Sequence, residues 1–248
     1  MKIKKLIMSR GRPQNIPALI ENFPFATLCI AKGESEDYRE WPGEVLYHPD
    51  DVVGLSVTRQ WILEYFREKN CGVFYLDDDI KGVYSVVSPS GRKIDNPNDI
   101  DQLIDNAAQC SCDAGIPLFG FSISAQPHYF KSSKPFYLST WLAGAFGVHA
   151  FGDLNFDTNL KTREDVDIAM QCLRKYRIVW KDARFSFQFA LNFNDGGAQA
   201  LRTKDLDMQS VGRLKKKWGG ALRLVNNKST TLQTYTRVPR HSVHVVNK

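Results

Sequence analysis

Three consecutive carboxylates, Asp77, Asp78 and Asp79, directly follow an apolar run over residues 72–76. Such a run, led by Gly72, is typical of a buried strand in a parallel sheet. Like charges at the end of a core strand repel one another and lose hydration, and a divalent cation offsets both effects. Ligands bind at the carboxyl ends of strands in open α/β sheets. The pattern predicts a metal and nucleotide site, with a solvated acidic turn as the alternative.

A basic turn follows the first predicted strand, and we expect it at the same edge of the sheet as the three aspartates. It contains Ser9, Arg10 and Arg12. Guanidinium groups in such a turn can hold a pyrophosphate through bidentate, charge-assisted hydrogen bonds. A basic surface turn without a ligand is the alternative.

Arg59 lies near the start of a predicted helix over residues 55–69, with Ser56 and Thr58 as possible caps. A cation near a helix N-terminus opposes the helix dipole. A ligand phosphate, or the aspartates 77–79, would account for its position. An exposed arginine without a role is the alternative.

Thr162 opens the helix with the most regular apolar spacing, which is predicted over residues 162–176. Asp165 stands three residues after Thr162, as in a capping box. Glu164, Asp165 and Asp167 also place three acids in one turn. A carboxylate held at a helix start is a reasonable general base for an acceptor hydroxyl. The cap and the base are both open interpretations.

Two further signals lie toward the C-terminus. Gly196 and Gly197 predict a tight turn, because glycine permits left-handed or closely packed backbone. His241 and His244 flank a strand-like stretch, and either could complete a metal site. Histidines without a ligand role are the alternative.

The elements that must position these residues alternate in the first half of the chain. Strands are predicted over residues 2–8, 26–31, 45–47 and 72–76, and helices over 15–22 and 55–69. The alternation indicates a parallel α/β sheet of the nucleotide-binding type, flanked by helices.

The second half has a different pattern. It predicts strands over 82–87 and 185–191, short aromatic-rich strands within 119–151, a helix capped by Asn98, and a basic helix over 205–218. Short strands of this kind indicate antiparallel additions, so the sheet is expected to be mostly parallel and mixed in this half. We expect a single domain over 1–248, with a nucleotide-binding half (1–80) and an acceptor-binding half (81–248).

Composition limits the classes of protein. The 248 residues, 43 % of them hydrophobic, suffice for one large core, and no apolar stretch approaches the length of a membrane span. The N-terminus does not resemble a signal peptide, so we expect the cytoplasm, with no membrane and no obligate protein partner.

Five cysteines without CxxC spacing predict neither zinc nor a disulfide framework. The net charge of +6 weakly favours a polyanionic partner; basic clusters lie at Lys2–Arg12, Arg213–Lys217 and Arg237–Arg240.

The apolar strand ending in Asp77-Asp78-Asp79, followed by Glu164-Asp165 at a later helix start, resembles the DxD and ED elements of GT-A-type nucleotide-sugar glycosyltransferases. The resemblance implies a GT-A-like fold, Mn²⁺ or Mg²⁺ as cofactor, and a nucleotide-sugar donor, with a UDP-sugar favoured. It implies that Asp165 and Glu164 are catalytic. The implied metal ligands are Asp79, Asp77, His241 and His244, and the implied donor-binding residues are Ser9, Arg10, Arg12, Arg59, Asp77 and Asp78.

The order of basic turn, Arg59, DxD, ED and Gly-Gly most resembles a small phage and TET/JBP-associated group thought to glycosylate hydroxymethylated pyrimidines in DNA. This implies DNA as acceptor and a base that leaves the stack to be reached. Lysines beside Trp218 would track a phosphate backbone. The acceptor-binding residues expected are Trp141, Gly144, Gly196, Gly197, Lys215, Lys216, Lys217 and Trp218.

Three rival functions stay open on the sequence. The first is a glycosyltransferase that acts on a surface polysaccharide or a protein, for which the basic clusters are incidental. The second is a nucleotidyltransferase on the same α/β fold, which would release pyrophosphate rather than a nucleoside diphosphate. The third is a non-catalytic nucleic-acid-binding module with a decayed acidic turn.

Overall fold

The computed structural model describes residues 2–123, 126–189, 203–225 and 233–236. The strands of its main sheet are β1 (Ile3–Met8), β2 (Thr27–Ala31), β3 (Val45–His48), β4 (Gly72–Asp77), β5 (Ile80–Ser85), β6 (Arg92–Ile94), β7 (Leu118–Ser122), β8 (Phe136–Tyr137), β9 (Ala145–Val148) and β10 (Trp180–Phe189). The helices are α1 (Ile16–Asn22), α2 (Leu55–Arg67), α3 (Pro97–Asp113), α4 (Glu164–Tyr176) and α5 (Lys204–Trp218). Two more strands, β11 (Leu222–Val225) and β12 (Gln233–Thr236), pair with each other.

Nine of these strands form a continuous path in the order β3-β2-β1-β4-β9-β7-β10-β5-β6, and β8 lies beside β10. The four strands of the first half, β3, β2, β1 and β4, are all parallel. The second half is mixed, because β9 is antiparallel to β4 and β7 whereas β10 is parallel to β7 and antiparallel to β5. The predicted α/β class is confirmed.

Residues alternate between the two faces of β4, as the pleat of a strand requires. Phe74 and Leu76 belong to a core cluster with α1 and α3, while Val73 and Tyr75 belong to a second cluster with α2 and α4. Because helices cover both faces, all four side chains are excluded from solvent. This burial explains the unbroken apolar run before Asp77.

The register of the parallel strands sets the position of the site. Met8 of β1 pairs with Asp77 of β4, so the basic turn that begins at Ser9 and the aspartates 77–79 leave the sheet at the same edge. The sequence-based expectation of a shared edge is confirmed. On the other side of β4, Leu76 pairs with Ala145, so β9 begins at this edge too.

Two local expectations were wrong. Asn96, not Asn98, caps α3: its side chain accepts a hydrogen bond from the Asn98 N–H at 3.0 Å, and Pro97 occupies the first helical position. Strand β10 begins at Trp180 rather than at 185, because polar residues interrupt the apolar alternation and the register shifts between Asp182 and Ser186. Bulges of this kind leave no simple period in a sequence.

Helix α5 packs against α4. Leu214 of α5 shares a small core cluster with Val166 and Met170 of α4. The cluster holds α5 close to the start of α4. No helix among the described residues is both long enough and apolar enough to cross a bilayer.

Candidate active site

Asp77 is the last residue of β4, and its carboxylate faces the start of α4 across one arginine. Arg59, on the second turn of α2, donates from Nη2 to Asp77 Oδ1 at 2.8 Å and from Nη1 to Glu164 Oε1 at 2.6 Å. Charge-assisted bonds of this kind are the strong ones. Of the explanations offered for Arg59, the carboxylate of Asp77 accounts for its position, and Glu164 is a second acid on the same guanidinium.

Arg59 is only 2 % exposed, so this ion pair is shielded from water. Its guanidinium lies over the Phe146 ring at 5.0 Å and near the Tyr75 ring at 5.9 Å, and the Tyr75 hydroxyl donates to the Arg59 carbonyl at 2.9 Å. Burial alone would lower the pKa of the guanidinium, but the charges of Asp77 and Glu164 raise it above its ordinary value. Arg59 therefore stays cationic and fixes the two acids.

Asp77 itself keeps part of its carboxylate accessible, with 30 % of the side chain exposed. Desolvation raises its pKa to about 6, although Arg59 opposes the rise and Asp79, Asp78 and Glu164 add to it. A nearby cation stabilises the charged form of a carboxylate, so a cation that binds here lowers the raised pKa of Asp77. The accessible part of Asp77 is therefore suited to a positively charged ligand.

Asp78 points into the basic turn and is almost fully buried. It accepts from Arg12 Nη1 at 2.9 Å and from Ser9 Oγ at 2.7 Å. Tyr38 completes the network, because its hydroxyl lies 2.7 Å from Ser9 Oγ and accepts from the Arg12 N–H at 2.9 Å. The described partners of Asp78 occupy both carboxylate oxygens, so Asp78 and Arg12 anchor the turn to the end of β4.

Arg10 is the accessible arginine of the basic turn, with 42 % of its side chain exposed. Its Nε lies 3.7 Å from Glu34, whose carboxylate also accepts from the Gly11 N–H at 2.9 Å. Gly11 has a φ of +62°, a left-handed conformation that glycine adopts without strain. The turn thus presents Arg10 outward while Arg12 points inward.

Asp79 differs from its two neighbours, because no other described residue bonds to its carboxylate. Partial burial and the charge of Asp78 raise its pKa, while Arg12 and its own N–H lower it. An unpaired carboxylate beside two others is unfavourable unless a ligand compensates. Asp79 is therefore the carboxylate of this edge that is best placed to bind a cation.

The start of α4 does not form the predicted capping box. Arg163, with a φ of +64°, is the N-cap, and Thr162 instead donates to Asp207 of α5 at 3.0 Å. Asp165 accepts the N–H of Val166 at 2.8 Å. Arg163 pairs with the same Asp207 through two hydrogen bonds, at 2.9 and 2.7 Å. Asp207 therefore holds the residues before the helix. The caps proposed for α2 also do not form, since its N-cap is Gly54 and Ser56 bonds to Leu160.

Asp165 lies close to the Asp77–Arg59 pair, but unlike Glu164 it makes no hydrogen bond to a described side chain. Desolvation raises its pKa, with Asp77 adding to the rise, while Arg59, the Val166 N–H and Arg163 oppose it. A carboxylate with a raised pKa is a stronger base than an ordinary one. Glu164, in contrast, is buried and committed to Arg59.

Asp167 does not face this site. It is wholly buried and accepts from Lys217 Nζ, Trp218 Nε1 and Gln171 Nε2, each at 2.7 Å. Two residues predicted to bind the acceptor, Lys217 and Trp218, therefore join α5 to α4. Lys215 and Lys216 are exposed on the same helix.

Trp141 and Gly144 lie in the segment that leads into β9. Trp141 is half-buried against the core cluster of α2 and α4. The Gly144 carbonyl accepts from the Asp77 N–H at 3.0 Å, its φ is +67°, and an added Cβ would lie 2.0 Å from Phe189 Cζ. Backbone geometry and space therefore account for the glycine; its predicted contact with an acceptor stays a prediction.

Four predicted residues, Gly196, Gly197, His241 and His244, lie outside the described residues, as does the basic cluster over 237–240. Within the described ranges, no three acidic, histidine or cysteine side chains converge as a complete metal site. Mg²⁺ commonly needs only one or two protein carboxylates, with substrate phosphates and water as its other ligands. Asp79 and Asp77 fit that smaller requirement.

Comparison with known proteins identifies the fold. No protein-family model matches the chain, and no curated protein does. Among solved structures, glucosyl-3-phosphoglycerate synthase from Mycobacterium tuberculosis in complex with Mn²⁺, UDP-glucose and phosphoglyceric acid matches with 10 % identity and a TM-score of 0.50, over 96 % of this chain and 88 % of that one. The enzyme in complex with Mg²⁺ and UDP matches with 9 % identity and a TM-score of 0.50, over 95 % and 87 %. The GT-A-like fold is confirmed.

Sequence reasoning missed Tyr38 and Glu34, which hold the basic turn in place. Both lie in a polar stretch without apolar periodicity, and no local pattern points from there to residues 9–12. It also missed Asp207, which positions the start of α4 from the next helix. These contacts join segments that are distant in the chain, so only the fold reveals them.

We predict that Arg59→Met lowers the free energy of unfolding by about 3–5 kcal/mol at pH 7, because it leaves Asp77 and Glu164 without their shared cation. Arg59 opposes the rise in the pKa of Asp77, so its loss raises that pKa further above the value in the unfolded chain. The folded form then binds more protons, so the stability lost should return as the pH falls from 7 toward 5. Urea unfolding at both pH values measures this.

Arg67→Met is the matched control on the same helix. Arg67 bonds to the Gly152 and Leu154 carbonyls and to Asn155. Its removal orphans no carboxylate, so its effect on stability should not depend on pH in this range. An Arg59→Met penalty equally independent of pH would contradict the role of the ion pair.

Proposed function

We propose that this protein is a metal-dependent glycosyltransferase that moves a sugar from a nucleotide-sugar donor, with a UDP-sugar favoured, to a hydroxyl acceptor. The observation that carries the proposal is the difference in bonding partners among the three aspartates at the end of β4. Asp77 is held by Arg59, Asp78 by Ser9 and Arg12, and Asp79 has no described partner. A bound cation would supply the direct partner that the Asp79 carboxylate lacks among the described residues. Two solved structures with a similar fold carry Mn²⁺ with UDP-glucose and Mg²⁺ with UDP.

Asp79 and the accessible part of Asp77 would hold the metal ion together with donor phosphate oxygens and water. When bound, Mn²⁺ or Mg²⁺ supplies positive charge that neutralises the departing nucleoside diphosphate. Arg10, exposed on the adjacent turn, is the side chain that can pair with the same diphosphate. Ser9, Arg12 and Asp78 support this region by fixing the backbone of the turn rather than by facing the ligand.

Asp165 is the proposed general base. The acceptor hydroxyl gives its proton to the Asp165 carboxylate as its oxygen bonds to the anomeric carbon, and the electrons of the broken carbon–oxygen bond leave with the diphosphate. Attack on the side opposite the leaving group would invert the configuration. Glu164 supports this step indirectly, because Arg59 pairs with both Glu164 and Asp77 and so fixes the start of α4 relative to the end of β4.

We predict that Asp79→Asn weakens metal-dependent binding of UDP by more than about 100-fold, since it removes a direct ligand and even supporting residues contribute 10–100-fold. Calorimetry with Mn²⁺ and UDP measures the change. Glu68→Gln is the matched control: Glu68 is exposed at the far end of α2, and its loss should leave binding unchanged. Equal UDP binding by Asp79→Asn and wild type would contradict the metal site.

We predict that Asp165→Asn lowers turnover by roughly 10²–10⁴-fold while donor affinity changes little. The asparagine oxygen can still accept the Val166 N–H, so the helix start is preserved and stability should be nearly unchanged. Kinetics and thermal unfolding on the same preparation separate the roles. A full rate with a lowered melting temperature would show that Asp165 is structural.

The donor assay also separates the rival reactions. Incubation with Mn²⁺ and a panel of nucleotide sugars should release a nucleoside diphosphate. A parallel incubation with nucleoside triphosphates and sugar phosphates tests the other reaction, because a nucleotidyltransferase would release pyrophosphate from the triphosphate. Release of neither product in the two incubations would favour a non-catalytic protein.

We propose a hydroxymethylated pyrimidine in phage DNA, or a sugar already attached to it, as the acceptor. The net charge of +6 supports a polyanionic partner. Lys215 and Lys216 support it more directly, because both are exposed side by side on α5 and no described residue pairs with them. Lys217 contributes less, since it already bonds to the buried Asp167.

We predict that neutralising Lys215 and Lys216 to serine lowers the slope of log affinity for DNA against log salt by about two units, if each neutralises one phosphate. Donor hydrolysis without DNA should be unchanged. Replacing Lys2 and Lys69, which lie at the opposite edge of the sheet, is the matched control and should leave the slope unchanged. If wild type shows no salt-dependent DNA affinity, a polysaccharide or protein acceptor replaces DNA.

A further inference from the structure

A cavity lies beside β10, three strands along the sheet from β4. It has a volume of about 210 Å³. Its walls come from β10, the end of β7 and the segment over 126–140. The lining side chains include Ser122, Gln126, Phe130, Tyr137, Thr140 and Lys181.

Lys181 is the charged residue among the described walls, and it has no counter-ion there. Its neighbour Asp182 is committed to Arg184, with bonds of 2.7 and 3.0 Å. Among the described residues, no hydrogen bond or ion pair reaches the Lys181 ammonium. Desolvation lowers its pKa to about 8, so at pH 7 it is still mostly cationic. A half-buried cation without an anion is a site where an anion binds strongly, because screening by water is weak.

The other walls supply neutral hydrogen-bonding groups. Ser122, Tyr137 and Thr140 each carry a hydroxyl, and Gln126 carries an amide. Hydroxyl and amide N–H groups donate to anionic oxygens and add direction to the attraction of the ammonium. The volume is below the 300–1,000 Å³ of an ordinary ligand pocket, so it suits a single group rather than a whole nucleotide.

The cavity opens on the same side of the sheet as the proposed base. Lys181 pairs in register with Gly120 of β7, and Gly120 pairs with Phe146 of β9, whose side chain belongs to the cluster of α2 and α4. Strand β10 lies three strand spacings from β4, about 14 Å across the sheet. That separation lets one acceptor molecule place a hydroxyl near Asp165 and a second group at Lys181.

We propose that this cavity binds a phosphate group of the acceptor, held by Lys181 and the surrounding hydroxyls; the inference rests on the proposed transfer reaction. A backbone phosphate of a nucleic acid and the phosphate of a small molecule share this chemistry. Either source would occupy the cavity in the same way.

The test is protection of Lys181 from an amine-acylating reagent at constant pH, with each lysine followed by mass spectrometry. EDTA is present and no donor is added, so the metal site is not involved. Inorganic phosphate at ten times its dissociation constant leaves only about one tenth of the cavities empty. Acylation of Lys181 should therefore slow about tenfold. Acylation of the exposed Lys2 should not change. No protection of Lys181 would overturn the proposal.

Lys181→Met provides the second measurement. It replaces an unpaired cation by an apolar side chain of similar length, so the variant should fold at least as stably as wild type. Heat of phosphate binding should disappear in it, and an unchanged heat would overturn the proposal. A short oligonucleotide that protects Lys181 at lower concentration than inorganic phosphate would support the nucleic-acid source; the reverse would support a small phosphorylated acceptor.

Failure of the two proposals can be told apart. If phosphate protects Lys181 but the protein consumes no donor, the proposed transfer reaction is overturned and the phosphate site is supported. Donor consumption without protection would overturn the phosphate site and leave the transfer reaction standing.

Discussion

Arg59 is buried between the end of β4 and the start of α4, and its terminal nitrogens bond to Asp77 at 2.8 Å and to Glu164 at 2.6 Å. A guanidinium is a rigid, planar fork, so it fixes the spacing of the groups that it joins. Asp79 lies two positions after Asp77, and Asp165 lies one position after Glu164, the two residues that Arg59 holds. Their separation is therefore set by the fold before any ligand arrives, which is the arrangement that preorganised sites require.

The three aspartates show how a cluster of like charges is tolerated at the end of a core strand. Two of them are neutralised by arginines from different elements, Arg59 on α2 and Arg12 on the turn after β1. The third, Asp79, has no bonding partner among the described residues. Since each arginine also anchors a neighbouring element, the same two ion pairs compensate the repulsion and hold the edge of the sheet together.

Sequence reasoning located this edge because its signal is local. The apolar run before Asp77 and the strand–helix alternation reflect burial and strand pairing, both of which leave periods in a sequence. It could not decide between alternatives that depend on partners. Glu164 was expected to be catalytic and proves to be bonded to Arg59, and Lys217 was assigned to DNA and proves to be bonded to Asp167; both roles stay predictions. Thr162 was a candidate cap and instead bonds to Asp207. In each case the partner lies more than forty positions away, which no short pattern encodes.

Helix α5 follows the last strand of the main sheet in the chain, and hydrogen bonds join it to α4 at two points. Asp207 holds Arg163, and the wholly buried Asp167 receives Lys217 and Trp218. A fragment that ended with β10 would retain every strand of the main sheet and still strip these partners from the helix that carries Asp165. A fragment that keeps all of the described support of α4 therefore extends at least to Leu222, which packs in the same cluster as Val166 and Met170. The part of the chain that completes the main sheet is shorter than the part that holds the start of α4.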